Sequence, residues 1–161
     1  MTRDEAFPKE IQLDAQHACR KTGAPVCVVL AQWAEESNYG QAMPKDSNNP
    51  FGMKSSPGSI YPRVASYTKE WEHGRYVTVT AYFIKFPSIQ AAFEAHGHYL
   101  MRPDAWPEYQ RAAAVWKQSG DWHTFIQLIA PRYATDPQYA RNLIAIVMQY
   151  SLFELNLPEG S

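Results

Sequence analysis

The chain has 161 residues, which suits one domain with one substantial hydrophobic core. Its net charge of −1 argues against a broad basic surface for nucleic acid or anionic lipid, and it contains no run of about 18 apolar residues to span a bilayer. The aromatic share of 14% is high, and Trp and Tyr serve both in cores and as platforms for flat ligands.

The first helix is predicted from about Pro8 to Thr22, with Gly23 as its stop signal. Two cysteines, Cys19 and Cys27, lie on either side of this stop. They are either a short disulfide, as in an oxidising compartment, or two buried free thiols. The sequence leaves both alternatives open.

The second helix is predicted from Pro25 to Tyr39 and carries two adjacent acids near its end, Glu35 and Glu36. Seven residues at about 100° each return Glu36 to within roughly 20° of Val29, at the centre of the apolar face, whereas Glu35 falls about 120° away. An inward-facing carboxyl group is partly desolvated, which raises its pKa and suits a general acid. The alternative is that Glu36 simply extends into solvent from the final turn.

Residues 41–59 are rich in Pro, Ser, Asn and Gly, which predicts a loop. The next segment, about residues 60–86, is β-branched and aromatic, with His73 and Gly74 near a turn between two extended runs. It predicts a β-hairpin lobe with one more buried face. In the second run, the residues of that face are Val77, Val79, Ala81 and Phe83.

The predicted hairpin places two acids close to its turn, Glu70 and Glu72, on either side of Trp71. Two carboxyl groups that flank a sugar-binding cleft suit glycoside hydrolysis, with Glu36 as the acid and a hairpin glutamate as its partner. Trp71 and Tyr39 are candidates to stack on the faces of sugar rings. An exposed glutamate near a hairpin turn is also ordinary, so the pairing is a hypothesis at this stage.

The rest of the chain is predicted to be helical, which gives a mainly α domain of the α+β class with one hairpin inserted after the second helix. The predicted boundaries are Ser88 as a cap, Pro107 and Gly120 at the two ends of the next helix, Asp121 as a further cap, and Asp136 with Pro137 before the last helix. His96 and His98 face different directions on one helix, and no Cys/His cluster is present, so we expect no metal.

Four motifs in chain order resemble those of glycoside hydrolase family 73, which includes the peptidoglycan glucosaminidase domain of the flagellar rod-capping protein and many bacterial autolysins. They are LAQWAEESNYG, NNPFGMK, SYTKEWEHGRYVTVTAYFIKFPSIQAAFEAH and RYATDPQYARNLI, and the match spans about residues 23–144. The resemblance implies a lysozyme-like helical fold with an inserted β-hairpin lobe and a substrate groove between them. It further implies a single catalytic domain over residues 1–161 that cleaves the β-1,4 bond after N-acetylglucosamine in peptidoglycan, without a cofactor.

The resemblance also implies catalytic residues. Glu36 matches the family's acid in a pattern like AQxALESGWG, whereas Glu35 stands where the family has an apolar residue. Glu70 matches the second acid in a TxEYxxG pattern, where it activates water or assists while the substrate's own N-acetyl group attacks. Tyr133, in YATDP, is expected to orient that N-acetyl group or to stabilise developing charge, and Asp136 is assigned to capping.

The motif NNPFGMK resembles the family's NNLFGIK, so Asn49 and Phe51 are expected to line or brace the groove, with Phe51 mainly structural. With Tyr39 and Trp71 they complete the candidate substrate-binding residues. The expected partner is the peptidoglycan glycan strand, and we expect a monomer.

Rival functions stay open from the sequence. They are an N-acetylmuramidase, a lytic transglycosylase, and a cell-wall-binding module without activity. The N-terminal segment MTRDEAFPKE lacks the apolar core of a signal peptide, so action in the periplasm or cell wall implies another export route or a fragment of a larger protein. Among a phage lysin, a fragment and an effector delivered into a rival's periplasm, we favour the effector, with a cognate immunity protein that blocks its cleft.

Overall fold

The computed structural model describes residues 1–158 and shows a helical body with one β-hairpin. The helices are α1 (Arg3–Ala6), α2 (Lys9–Thr22), α3 (Val26–Ser37), α4 (Ile89–Met101), α5 (Pro107–Ser119), α6 (Trp122–Tyr133) and α7 (Tyr139–Gln149), the strands are β1 (Arg63–Glu72) and β2 (Arg75–Ile84), and a 3₁₀ turn covers Leu152–Leu155. Across residues 1–158, none of the helices has both the length and the apolar character to cross a bilayer. The predicted insertion of a hairpin after the second long helix is confirmed.

Several helix boundaries follow from the residues predicted to set them. Gly23 (φ 80°) and Gly120 (φ 68°) end α2 and α5 in the left-handed conformation, which glycine adopts without a steric penalty. The Ser88 hydroxyl caps α4 by accepting a hydrogen bond of 3.0 Å from the main-chain amide three residues later. Asp121 caps α6 in the same way, at 2.9 Å.

Other boundaries differ from the prediction. Helix α3 ends at Ser37 rather than at Tyr39, because Asn38 (φ 47°) and Tyr39 (φ 55°) both take the left-handed conformation. Helix α7 begins at Tyr139, three residues after Asp136, whose carboxylate accepts a hydrogen bond of 2.8 Å from the main-chain amide two residues later. The sequence does not predict α1, since its four residues are too few to show an apolar period.

Helix α3 forms the centre of the hydrophobic core. Ten of its 12 residues are buried, all except Glu35 and Glu36 in the last turn. A helix that is apolar on all sides is typical of a domain interior. Around it, α2 and α4 pack so closely that a Cβ atom added to Gly97 would lie 2.5 Å from Thr22 Oγ1.

The two cysteines, Cys19 and Cys27, are both buried and free of a disulfide. The Asn156 amide donates a hydrogen bond of 3.3 Å to Cys27 Sγ. Burial raises the pKa of the Cys27 thiol to about 12 and raises that of Cys19 further, so both groups are protonated. Of the two alternatives left open by the sequence, the structure shows the buried free thiols.

The hairpin turns through His73 (φ 49°) and Gly74 (φ 79°), the two positive φ values of a two-residue type I′ turn. Paired residues point to the same side of the sheet, so each side is fixed by the register from Arg63↔Ile84 to Glu72↔Arg75. The partly covered side, here called the inner face, carries Val64, Ser66, Thr68, Glu70 and Glu72 with Arg75, Val77, Val79, Ala81 and Phe83. The exposed side, the outer face, carries Arg63, Ala65, Tyr67, Lys69 and Trp71 with Tyr76, Thr78, Thr80, Tyr82 and Ile84.

Asn49 ties the loop after α3 to strand β2. Its side chain is fully buried, its amide nitrogen donates to the carbonyl oxygens of Met53 and Ile84 at 2.9 Å each, and its oxygen accepts from the Met53 amide at 3.0 Å. The Met53 carbonyl also accepts from the Ile84 amide at 3.0 Å. The buried Asn49 amide thus joins the loop to the hairpin, beside main-chain hydrogen bonds from Ser55 to Tyr82 and from Ile84 to Met53.

We expect Asn49→Ala to lower the free energy of unfolding by on the order of 2–3 kcal/mol, because it leaves buried main-chain groups without partners. Urea denaturation followed by circular dichroism measures this change. Asn142→Ala is the matched control, since its amide makes one long, exposed bond of 3.3 Å. An unchanged urea midpoint in Asn49→Ala would contradict the proposed bracing role.

Candidate active site

Glu36 opens onto a groove from the last turn of α3. The groove encloses about 650 Å³, within the usual range for ligand sites. Three other parts of the chain complete its wall: the loop after α3, helix α4, and the end of α6 with the residues that follow it. Their groove residues are Phe51, Met53, Lys54, His96, Tyr99, Tyr133, Ala134, Thr135 and Asp136.

A chain of hydrogen bonds holds one oxygen of Glu36. The Tyr139 hydroxyl donates to Glu36 Oε1 at 2.9 Å and accepts from Gln32 Nε2 at 3.2 Å, and Gln32 Oε1 is 2.8 Å from His96 Nε2. Burial lowers the pKa of His96 to about 3, so its imidazole is neutral and donates from Nε2 to Gln32. His96, Gln32 and Tyr139 therefore each donate one hydrogen bond toward Glu36. Among residues 1–158 no group bonds to Glu36 Oε2, which leaves it open for a ligand.

Three influences set the pKa of Glu36. Partial burial of the carboxyl group is the largest and raises the pKa above its ordinary value. The hydrogen bond from Tyr139 lowers it, because it stabilises the carboxylate, and the nearby charge of Glu35 raises it. The balance is a raised pKa, which favours a carboxylic acid able to give up a proton.

Stacked rings fix the groups around Glu36. Tyr133 lies parallel to Tyr139, with ring centroids 5.4 Å apart, and meets His96 edge-on at 5.7 Å. Phe51 stacks on the His96 ring, with ring centroids 3.9 Å apart. Within residues 1–158 the Tyr133 hydroxyl makes no hydrogen bond, and burial raises its pKa, so it is a protonated donor available to a ligand.

The structure brings together some of the predicted site residues. Glu36, Tyr133 and Phe51 share the groove, and Asp136, assigned to capping, also lines it. Glu70 and Trp71 lie on the hairpin, are not among the residues that line this groove, and are on opposite faces of the hairpin. Glu70 is opposite Val77 on the inner face, which it shares with Glu72.

Two predicted substrate-binding residues lie elsewhere. Asn49 is fully buried with its amide fully used, so it cannot touch a substrate and instead braces the loop. Tyr39 packs edge-on against Phe7, Trp33 and Tyr150, with ring centroids 5.6–6.3 Å apart. Tyr39 is not among the residues that line the groove, and its ring belongs to this aromatic cluster instead.

Sequence reasoning misses Gln32, His96 and Tyr139 as site residues. Gln32 is the one polar residue in the buried part of α3 before its last turn, and that mismatch is a usable signal. Tyr139 is part of the apolar stripe of α7, which predicts a core position. The sequence suggests no role for His96 except as a metal ligand. Their roles depend on hydrogen bonds between α3, α4 and α7, which a single helix pattern does not reveal.

Glu35 points to a different neighbour from Glu36. Both glutamates are exposed in part, but the Asn142 amide of α7 donates to Glu35 Oε1 at 3.3 Å. The effect of Glu35 on the groove is electrostatic, because its negative charge raises the pKa of Glu36. Across the described residues no group of three or more His, Cys, Asp or Glu side chains could hold a metal ion.

A family model described as Glucosaminidase, mannosyl-glycoprotein endo-β-N-acetylglucosaminidase, matches residues 12–152. The peptidoglycan hydrolase FlgJ of Escherichia coli K12 is 33% identical over 150 residues, covering 90% of this chain and 46% of that protein. The autolysin of Enterococcus faecalis is 27% identical over 159 residues, covering 96% of this chain and 21% of that protein. The chain thus spans less than half the length of these relatives.

Solved structures show the same fold. The catalytic domain of the autolysin Auto from Listeria monocytogenes matches with a TM-score of 0.78 and 27% identity, covering 96% of this chain and 88% of that one. The glycoside hydrolase domain of Salmonella typhimurium FlgJ, truncated at its C-terminus, matches with a TM-score of 0.74 and 27% identity, covering 91% and 96%. The predicted lysozyme-like helical fold with a β-hairpin lobe is confirmed.

The three influences on Glu36 predict opposite effects for two substitutions. Tyr139→Phe removes the bond that stabilises the carboxylate, so the pKa of Glu36 should rise further; Glu35→Leu removes a neighbouring negative charge, so it should fall. NMR titration of carboxyl-labelled glutamate measures both. Tyr99→Phe, in the groove wall but not bonded to Glu36, is the control. Shifts of the same sign in both variants would contradict the assignment.

Proposed function

Because the chain belongs to the glucosaminidase family, glycoside hydrolase family 73, we propose that it hydrolyses the β-1,4 bond after N-acetylglucosamine in peptidoglycan. The relatives named above as peptidoglycan hydrolases and autolysins support this substrate. The observation that carries the proposal is Glu36, a partly desolvated carboxyl group in a groove, anchored through one oxygen by Tyr139.

Glu36 is the general acid in this proposal. Its free oxygen, Oε2, carries the proton and gives it to the glycosidic oxygen as the bond from that oxygen to the sugar carbon breaks. The carboxylate formed keeps the hydrogen bond from Tyr139, which stabilises its negative charge. The neutral network behind Tyr139 adds no competing charge in the groove.

Glu70 and Tyr133 are proposed to act on the other side of the reacting carbon. In an inverting route Glu70 activates a water, whereas in a substrate-assisted route the N-acetyl group attacks and Glu70 orients it. The Tyr133 hydroxyl, with no protein partner among the described residues, is suited to donate to the N-acetyl oxygen. NMR of the new reducing end, recorded before it mutarotates, distinguishes the two routes. An inverted anomeric configuration supports activation of water by Glu70, and a retained one supports attack by the N-acetyl group.

The muramidase alternative rests on a specific finding. A probable N-acetylmuramidase of Lactococcus lactis is 26% identical to this chain over 151 residues, covering 92% of this chain and 34% of that protein. Both activities need an acid and a groove, so the site alone is compatible with either. The family model, which is described as that of a glucosaminidase, favours cleavage after N-acetylglucosamine.

We expect Glu36→Gln to lower hydrolysis of purified peptidoglycan by about 10²–10⁴-fold, the usual contribution of a general acid. Loss of turbidity of a sacculus suspension measures the rate, and circular dichroism checks the fold. Glu10→Gln, an exposed glutamate on α2, is the matched control. Full activity in Glu36→Gln would remove Glu36 as the acid.

Mass spectrometry of the digest tests the cleaved bond. We expect new reducing ends of N-acetylglucosamine, because hydrolysis of the bond after this sugar frees its anomeric carbon. Reducing N-acetylmuramic acid ends would establish the muramidase, and anhydro-muramyl ends a transglycosylase. Sacculus binding without any new ends would instead indicate a wall-binding module.

The biological setting is also a proposal: a monomeric effector that acts in the periplasm or cell wall and is blocked by a cognate immunity protein in its groove. The free cysteines remove the disulfide as support for this setting. Expression directed to the periplasm should lyse the host, and the Glu36→Gln variant should not. Protection by the product of a neighbouring gene would support an immunity partner, and lysis without any such protection would favour a lysin.

A further inference from the structure

The outer face of the hairpin presents an exposed row of aromatic rings outside the groove. Tyr67, Trp71 and Tyr76 are exposed by 75%, 63% and 70%, and Tyr82 by 42%. Isolated exposed aromatics are ordinary on a protein surface, but several on one face mark an interaction site. The other residues of the outer face are also almost all exposed, so within residues 1–158 little of the protein packs over this face.

The register places these rings on one face of the two strands, with Tyr67 and Trp71 on β1 and Tyr76 and Tyr82 on β2. Trp71 and Tyr76 are directly opposite each other, with ring centroids 4.9 Å apart, and Tyr67 and Tyr82 follow at later rungs. From the rung of Tyr82 to that of Trp71 the strand advances six residues, about 20 Å at roughly 3.3 Å per residue. The row is therefore long and only two strands wide.

Charge is divided between the two faces of the hairpin. The outer face carries Arg63 and Lys69 and no acid, and the Arg63 guanidinium lies 4.0 Å above the Tyr82 ring. The inner face carries Glu70 and Glu72 together with Arg75. A ligand of the outer face would thus need flat apolar surfaces and negative charge.

We propose that the outer face binds a peptidoglycan glycan strand at a second site, separate from the groove. Sugar rings offer flat faces for stacking on Tyr67, Trp71 and Tyr76, and the carboxylates of muramic acid and of the stem peptides complement Arg63 and Lys69. The inference rests on the proposed function, because that function supplies the polymer. It also gives Trp71 a sugar-binding role on the face opposite to Glu70.

The shape of the row favours a linear polymer. The row is about 20 Å long and only two strands wide, with the strands about 4.8 Å apart, so it is narrow and elongated, as a glycan strand is. Two cations are also too few for a nucleic acid, whose affinity depends on many phosphate contacts. A second contact with an insoluble wall raises the effective concentration of glycan at the groove.

Sedimentation with purified sacculi tests the second site, in a Glu36→Gln background that leaves the wall intact. We expect Tyr67→Ala and Trp71→Ala each to weaken binding about fivefold or more, the loss typical of a truncated aromatic anchor. Lys69→Glu keeps every ring and should also weaken binding, which guards against an effect of hairpin unfolding. Trp106→Ala, exposed by 48% and outside the hairpin, is the control. Unchanged binding in the hairpin variants, or equal loss in Trp106→Ala, overturns the proposal.

Failure of this site and failure of the proposed function give different results. With Glu36 intact, hydrolysis of sacculi should fall in the hairpin variants at least about fivefold more than hydrolysis of short soluble peptidoglycan fragments, which are too small to reach both sites. Equal losses on the two substrates would overturn the second site and leave the hydrolase standing. If the unsubstituted protein hydrolyses neither substrate, the proposed function fails, whatever the hairpin variants do in the binding assay.

Discussion

The hydrogen bond from Tyr139 to Glu36 joins the centre of the fold to its chemistry. Helix α3 is buried on nearly all sides, and its last turn places a carboxyl group at the border between the core and the groove. Without a fixed donor, such a group would turn toward water. Tyr139 is itself fixed by Gln32 and by the parallel ring of Tyr133, so the acid is held by residues from three helices.

Parts of this arrangement can be predicted from the sequence, namely those that depend only on residues within one helix or one turn. The helical period alone separates Glu36 from Glu35, because both lie on the same helix as Val29. His73 and Gly74 predict the hairpin, because a two-residue turn is a local event. The caps at Ser88 and Asp121 are local in the same way.

The remainder depends on contacts between distant parts of the chain. The bond between Tyr139 and Glu36 joins residues 103 apart, and that between His96 and Gln32 joins residues 64 apart. Asn49 has the motif position of a groove residue but is used inside the protein, because the main-chain groups of Met53 and Ile84 need partners there. Tyr39 packs in an aromatic cluster after α3 has ended at Ser37, and the apolar pattern of the helix shows neither the early end nor the cluster.

The buried thiols bear on where the native state can form. Neither Cys19 nor Cys27 needs an oxidant to reach its place in the core, and the raised pKa of each keeps the reactive thiolate scarce. Oxygen, glutathione and disulfide isomerases should therefore react little with these two thiols. The chain can complete folding in a reducing compartment and then enter an oxidising one with the same covalent structure.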